Sequence, residues 1–174
     1  MFEIKVVGFD EVQAEIDAGW PTRIISVIKK TNMPNYGDHH LHLTFDDVHN
    51  TNNNHIHPLM EHLQTVLNFT KDLTEDDRVL VHCLAGVSRS TATAIAICIQ
   101  HGMSYQDAYN HIKMIRPVAN PNRLITEYTD QHFGLGGELL KLVEESDPFP
   151  NLMLMATQAY DRLVERAKDE PNDS

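Results

Sequence analysis

The sequence predicts an α/β fold: a central, mostly parallel sheet of about four to five strands flanked by helices, with a helix-rich C-terminal half. Three observations predict it. Short Val- and Ile-rich runs alternate with helical patterns early in the chain. The run Arg78-Val79-Leu80-Val81-His82 has an unbroken apolar centre, as a strand buried on both faces requires. Beyond Gly102 the recurring apolar positions follow helical spacing.

The elements follow in order. Residues 2–7 and 23–28 read as strands, and residues 11–18 between them as a short helix closed by Gly19 and Pro21. Residues 40–45 alternate as a further strand would. The Asn-rich tract at 50–54 and Pro58 mark a loop and a helix start, and Leu63, Val66 and Leu67 then keep an amphipathic period. After the 78–82 strand come a tight loop bearing Gly86 and Ser88 and an apolar helical run over residues 92–99. Ser104 and Asp107 resemble a capping box ahead of Tyr105, Ala108, Tyr109, Ile112 and Ile115, which share one face. Arg116-Pro117 stops that helix, another begins near Pro121 and ends by Gly134, and residues 139–143 form a short one. A single domain is expected over residues 1–168, with 151–168 as a C-terminal helix and 169–174 as a frayed tail.

Composition narrows the function classes. The 174 residues carry 41% hydrophobic and 22% charged side chains, ordinary for a globular domain. The formal net charge of −11 sets up a field that repels polyanions, so neither nucleic acid nor an anionic membrane is an expected partner. No apolar run is long enough for a membrane span, and the first residues lack the pattern of a secretory signal. A cytoplasmic protein is therefore the expectation. Of the two cysteines, Cys98 lies in an apolar helical run and reads as a buried, inert thiol.

Cys83 stands in different company: His82-Cys83-Leu84-Ala85-Gly86-Val87-Ser88-Arg89-Ser90. A strand that turns through a short loop into a buried helix aims successive backbone N–H groups inward, and the positive end of the helix dipole faces the same point. Gly86 permits backbone geometry that a Cβ forbids. A cysteine at the mouth of such a cradle has its pKa lowered to ~3.5–7.5, against about 8.5 for a free thiol, and is a thiolate at neutral pH. Arg89 offers a planar fork for two phosphate oxygens. Ser90 can donate a hydrogen bond to the sulfur. Nucleophile, oxyanion cradle and charge clamp fit within eight residues.

This run resembles the protein tyrosine phosphatase motif H-C-x-x-G-x-x-R-[ST] at every specified position, and its Ala85-Gly86-Val87-Ser88-Arg89-Ser90 form is most similar to the dual-specificity branch. Phe45-Asp46-Asp47-Val48 lies 36 residues upstream of Cys83 by its Asp47, where that family places a general acid. The stretch from Arg116 through Pro117 to Pro121-Asn122 resembles the family's R-P-x-x-x-P-N. The resemblance spans roughly residues 22 to 133.

It implies a metal- and cofactor-free phosphomonoesterase. Cys83 would attack phosphorus, Asp47 (with Asp46 as the alternative) would protonate the leaving oxygen, and the amides of Leu84, Ala85, Gly86, Val87, Ser88 and Arg89 would hold the equatorial oxygens. His82 would support the loop and Asn122 would brace it. Phosphate, sulfate or vanadate is the anion expected there. Arg116 and Arg123 read as solvated helix-end cations, with help in substrate binding as the alternative. Seven of eleven histidines fall between His39 and His62; they read as solvated loop residues, without a physiological metal site. Uncharged Leu84, Ala85, Val87 and Ser88, with the negative net charge, favour phosphoprotein substrates, phosphotyrosine first and phosphoserine/threonine open. A phosphoinositide or RNA 5′-phosphatase, a rhodanese-like sulfurtransferase and a phosphate-binding pseudoenzyme are the rival readings.

Overall fold

The structure, a computed structural model, describes residues 2–30, 33–51 and 55–146. Four strands form one sheet: β1 (Glu3–Val7), β2 (Arg23–Val27), β3 (His40–Leu43) and β4 (Arg78–His82), in the spatial order β1-β4-β2-β3. Every pairing is parallel. The expected architecture and its lower strand count are both observed.

Parallel order forces each connection to cross the sheet, and helices supply most of the crossings. A 3₁₀ turn (Phe9–Glu11) and α1 (Val12–Asp17) follow β1, and α2 (Met60–Thr70) follows β3. Then α3 (Arg89–Gln100), α4 (Tyr105–Ile115), α5 (Arg123–Phe133) and α6 (Glu138–Ser146) succeed β4. Segment 151–168, expected as a helix, lies outside the described residues.

The alternation within β4 shows why its apolar run is continuous. Val79 and Val81 enter the main core with α3, whereas Leu80 enters a smaller cluster with Val7, Val12 and Ile24 on the opposite face. Ile16, Trp20 and Tyr36 complete that second face. Each large aliphatic group buried this way contributes on the order of 1.5–3 kcal/mol.

Helix α3 is the central helix, packed against α2, α4, α5 and three strands. It starts at Arg89, three residues before the apolar run that marks it in the sequence. Its first turns carry buried Ser90, Thr91 and Thr93, and the two threonine hydroxyls donate back to backbone carbonyls at 2.6–2.8 Å. Polar side chains thereby enter a helix with no solvent face. At α4 the Ser104 hydroxyl accepts from the Asp107 amide at 3.1 Å and donates to the Asp107 carboxylate at 2.7 Å, a variant of the expected capping box.

Candidate active site

Because all four strands run the same way, their C-terminal ends open on one edge of the sheet. Residues 83–88 join the end of β4 to α3 at that edge. Every carbonyl in the loop is tied to a group outside it. Cys83 O faces His82 Nδ1 at 3.3 Å. Leu84 O accepts from the Phe9 amide at 3.0 Å. Ala85 O and Gly86 O accept from Nη2 and Nε of Arg116 at 3.0 and 3.1 Å. Val87 O accepts from the Asn120 amide at 2.9 Å, and Ser88 O from the Asn122 amide at 3.2 Å. In a trans peptide the next N–H points opposite to the carbonyl. Carbonyls held outward therefore turn the following amides inward, which makes an anion nest.

Cys83 sits at the mouth of this nest, 1% exposed. Ser90 Oγ donates to its sulfur at 3.2 Å. Burial is the largest influence on the thiol and pushes its pKa up. The hydroxyl and amide of Ser90, the Arg89 charge and the Val87 amide together outweigh burial, and the thiol ends below its ordinary value. Cys98, buried in α3 without such partners, is pushed up to about 12 by burial, as its apolar setting predicts.

Arg89 is itself buried and donates from Nη1 to the Phe45 carbonyl at 2.8 Å. Its Nε lies 3.5 Å from Asp47 Oδ2, an ion-pair distance without the alignment of a hydrogen bond. A buried, charged donor lacking an acceptor is costly, and an oxyanion in the nest would relieve that cost.

The adjacent aspartates part company here. Asp47 turns to the loop: its Oδ1 accepts from Ser88 Oγ at 2.6 Å and Asn122 Nδ2 at 3.0 Å. Asp46 turns away, to Lys29 at 3.0 Å and the Ile56 amide at 2.9 Å. Burial pushes the Asp46 pKa up, but Lys29, the Ile56 amide and His55 outweigh it, and the carboxyl is held below its usual range. A carboxylate so held is a poor proton donor.

Asn122 caps α5, accepting from the Ile125 amide at 3.2 Å. Its side chain also holds Asp47 and the Val48 carbonyl, while its amide holds Ser88. It braces both the loop and the segment carrying Asp47, more than the loop brace expected from sequence.

Arg116 corrects the reading of a solvated cation. Besides the two loop carbonyls, it pairs with Glu11 at 2.9–3.1 Å, and its hydrogen bond, followed by the Gly8 amide, holds the Glu11 carboxyl below its usual range. Arg123 does behave as expected, pairing with Glu127 and Glu144 at 3.0–3.4 Å while 43% exposed.

His40 and His42 leave the solvated-loop reading, His40 through its link to His82, the residue expected to support the loop. His82 is fully buried, with Nε2 against Ser26 Oγ, and Ser26 Oγ in turn lies 2.7 Å from His40 Nε2. With Nδ1–H facing the Cys83 carbonyl, Nε2 accepts the Ser26 proton, and Ser26 oxygen accepts from His40. His42 Nε2 donates to the Ile28 carbonyl at 2.9 Å. Among the described residues no three His, Cys, Asp or Glu side chains gather closely enough to hold a metal ion.

Burial above all holds His82 near pKa 4, against an ordinary 6.5; the Cys83 hydrogen bond pulls upward and nearby His40 and His42 push further down. The folded chain thus excludes a proton that the unfolded chain binds near 6.5. Stability from this residue is complete above pH 6.5 and drains as the pH falls to about 4. The slope is about 1.4 kcal/mol per pH unit and the total about 3 kcal/mol. Urea unfolding at pH 7.5 and 4.5 should show His82→Gln losing that much less stability across the interval than the parent. Equal losses would refute it.

Residues 15–131 match the family described as Dual specificity phosphatase, catalytic domain. The chain belongs to that family. Among curated relatives, putative tyrosine phosphatase 123R of Invertebrate iridescent virus 6 is 34% identical over 120 residues, covering 59% of this chain and 84% of that protein. Protein-tyrosine-phosphatase MKP1 of Arabidopsis thaliana is 40% identical over 62 residues, or 34% of this chain and 8% of that protein. The chain thus spans under two thirds of several curated relatives it matches, including Slingshot homolog 3 of Mus musculus at 10%. The crystal structure of DUSP15 shares the fold with a TM-score of 0.61 at 22% identity, covering 84% of this chain and 93% of that one. Human DUSP28 gives 0.61 at 21% identity, with coverage of 78% and 94%.

Proposed function

We propose that this chain hydrolyses phosphomonoesters of proteins, phosphotyrosine in particular, through a cysteinyl-phosphate. The observation that carries the reading is the Cys83 sulfur, bonded by Ser90 inside a loop whose carbonyls are all tied to groups outside it.

In the first step the Cys83 thiolate attacks phosphorus in line; the S–P bond forms as the ester P–O bond breaks. Asp47 gives its proton to the departing oxygen. In the second step Asp47, now a carboxylate, takes a proton from water as the water oxygen attacks phosphorus. The S–P bond breaks, inorganic phosphate leaves, and Ser90 stabilises the returning thiolate. The inward amides of residues 84–89 and the Arg89 guanidinium meet the equatorial charge, the main demand of phosphoryl transfer. Uncharged side chains at Leu84, Ala85, Val87 and Ser88 and the net charge of −11 support phosphoproteins over polyphosphorylated inositol lipids or RNA.

The test is p-nitrophenyl phosphate hydrolysis in EDTA, followed by a panel of phosphotyrosyl and phosphoseryl peptides, a phosphoinositide, a 5′-phosphorylated RNA and thiosulfate. Activity should survive EDTA and be greatest on the phosphotyrosyl peptide. Asp47→Ala should lose about 10²–10⁴ in rate, the usual worth of a positioned acid. Asp46→Ala should lose less than about tenfold, through its structural ties alone. Equal, mild losses would overturn the acid assignment; faster turnover of the lipid, the RNA or thiosulfate would overturn the substrate class.

A further inference from the structure

One cation, linked to the loop through Phe9, takes no part in the chemistry above. β1 and β2 flank β4, and all three run parallel, so the chains leaving them emerge on either side of residue 83. Leaving β1, the chain places Phe9 against the loop, its amide on the Leu84 carbonyl at 3.0 Å. Leaving β2, it runs through Ile28 and Lys29 to Lys30. The two exits meet: Lys30 Nζ lies 3.8 Å from the centroid of the Phe9 ring, which itself lies 5.9 Å from the ring of His82. Cation–π attraction holds the ammonium there.

Its neighbours are spoken for. Lys29 is paired with Asp46 at 3.0 Å and Arg116 with Glu11 at 2.9 Å. Lys30 makes no ion pair among the described residues. On a chain of net charge −11, an ammonium held on Phe9 thus has no carboxylate partner among the described residues. Leu84, whose carbonyl holds the Phe9 amide, is 63% exposed.

We propose that Lys30, held on Phe9, is a specificity-determining residue that binds an acidic side chain beside the phosphorylated residue of a peptide substrate. Successive residues of an extended peptide advance by about 3.3–3.6 Å. A Glu or Asp one or two positions from the phosphotyrosine is the group placed to meet a lysine anchored on Phe9, whose own amide holds the Leu84 carbonyl of the loop. The sign of the effect is diagnostic. The global field of the protein works against acidic peptides, so a preference for them must come from local contact.

This inference rests on the phosphatase reading, and the experiment separates the two. Two phosphotyrosyl peptides differing only in Glu or Gln beside the phosphotyrosine are compared on the parent, Lys30→Ala and Lys30→Glu, with p-nitrophenyl phosphate as the reference. The parent should favour the Glu peptide about three- to fivefold in kcat/KM, in keeping with a surface ion pair. Lys30→Ala should abolish the preference and Lys30→Glu reverse it, with reference turnover kept within about twofold. Phe9→Leu, which keeps an apolar group but removes the π face, should weaken the preference. A parent indifferent to the Glu, or a ratio unchanged by both Lys30 variants, overturns the inference and leaves the phosphatase reading intact. So does a parallel loss of p-nitrophenyl phosphate turnover and inorganic phosphate inhibition, which would put Lys30 on the phosphoryl group itself. No turnover of the reference by the parent would overturn both.

Discussion

Cys83→Ser should abolish p-nitrophenyl phosphate turnover, by more than about 10⁴-fold, while leaving a folded protein that still binds vanadate or phosphate. The two halves of that result have separate causes. Turnover needs a thiolate, and the structure favours one through Ser90, Arg89 and the Val87 amide against the opposing push of burial. A serine hydroxyl stays protonated under the same influences and attacks phosphorus poorly. Oxyanion binding, by contrast, uses the amides that follow the tethered carbonyls of Cys83 to Ser88, together with Arg89, and none of these changes. Calorimetric titration with vanadate and circular dichroism would check the second half. Iodoacetate supplies an internal control. It should alkylate Cys83 and spare Cys98, whose thiol is pushed up to about 12 by burial in α3. Turnover by the Ser variant above about 1% of the parent, or its loss together with anion binding, would remove Cys83 from the role of nucleophile.

The parts of this site that the sequence made legible are the local ones. Nucleophile, glycine, arginine and serine lie within one strand–loop–helix unit, so spacing alone brings them together. What stayed illegible is long-range. Arg116 holds carbonyls 30 and 31 residues away and a carboxylate 105 residues away, and no local pattern distinguishes it from a solvated helix-end cation. Ser26 lies under His82 only because β2 and β4 pair in the register Ser26↔His82. A single serine inside an apolar strand gives no hint of that partner. Asp46 and Asp47 are the same residue type side by side; the backbone sends one to Lys29 and the other to Ser88 and Asn122. Helix α3 begins three residues ahead of the apolar run that marks it for a related reason. Apolar periodicity finds the part of a helix that packs on neighbours, whereas the first turn here is polar, with Arg89 on the Phe45 carbonyl, Ser90 on the Cys83 sulfur and Thr91 on the Val87 and Ser88 carbonyls.

Gly86→Ala should cost about 2–4 kcal/mol of stability, from overpacking together with backbone strain, and about 10²–10³ in kcat/KM. Gly86 has φ +68°, which an alanine adopts only with strain. Strain alone would be tolerable. The added Cβ would also stand 2.5 Å from Val7 C, 2.6 Å from Val7 O and 2.7 Å from Gly8 N. These are backbone atoms at the end of β1, fixed by the ladder that sets Val7 opposite His82, so they cannot swing aside as a side chain would. The loop must move instead, and Arg116 grips Ala85 O and Gly86 O from the outside. Lifting the loop off β1 breaks those bonds or tilts the peptide planes, and either change turns amides away from the oxyanion. Gly102 separates strain from collision. It too has positive φ, +94°, but its added Cβ meets nothing within 4 Å. Gly102→Ala should therefore show backbone strain of about 1–2 kcal/mol and parental activity. If urea midpoints and kcat/KM place the two variants together, strain would account for both, and the close seat of the loop on β1 would not be what shapes the nest.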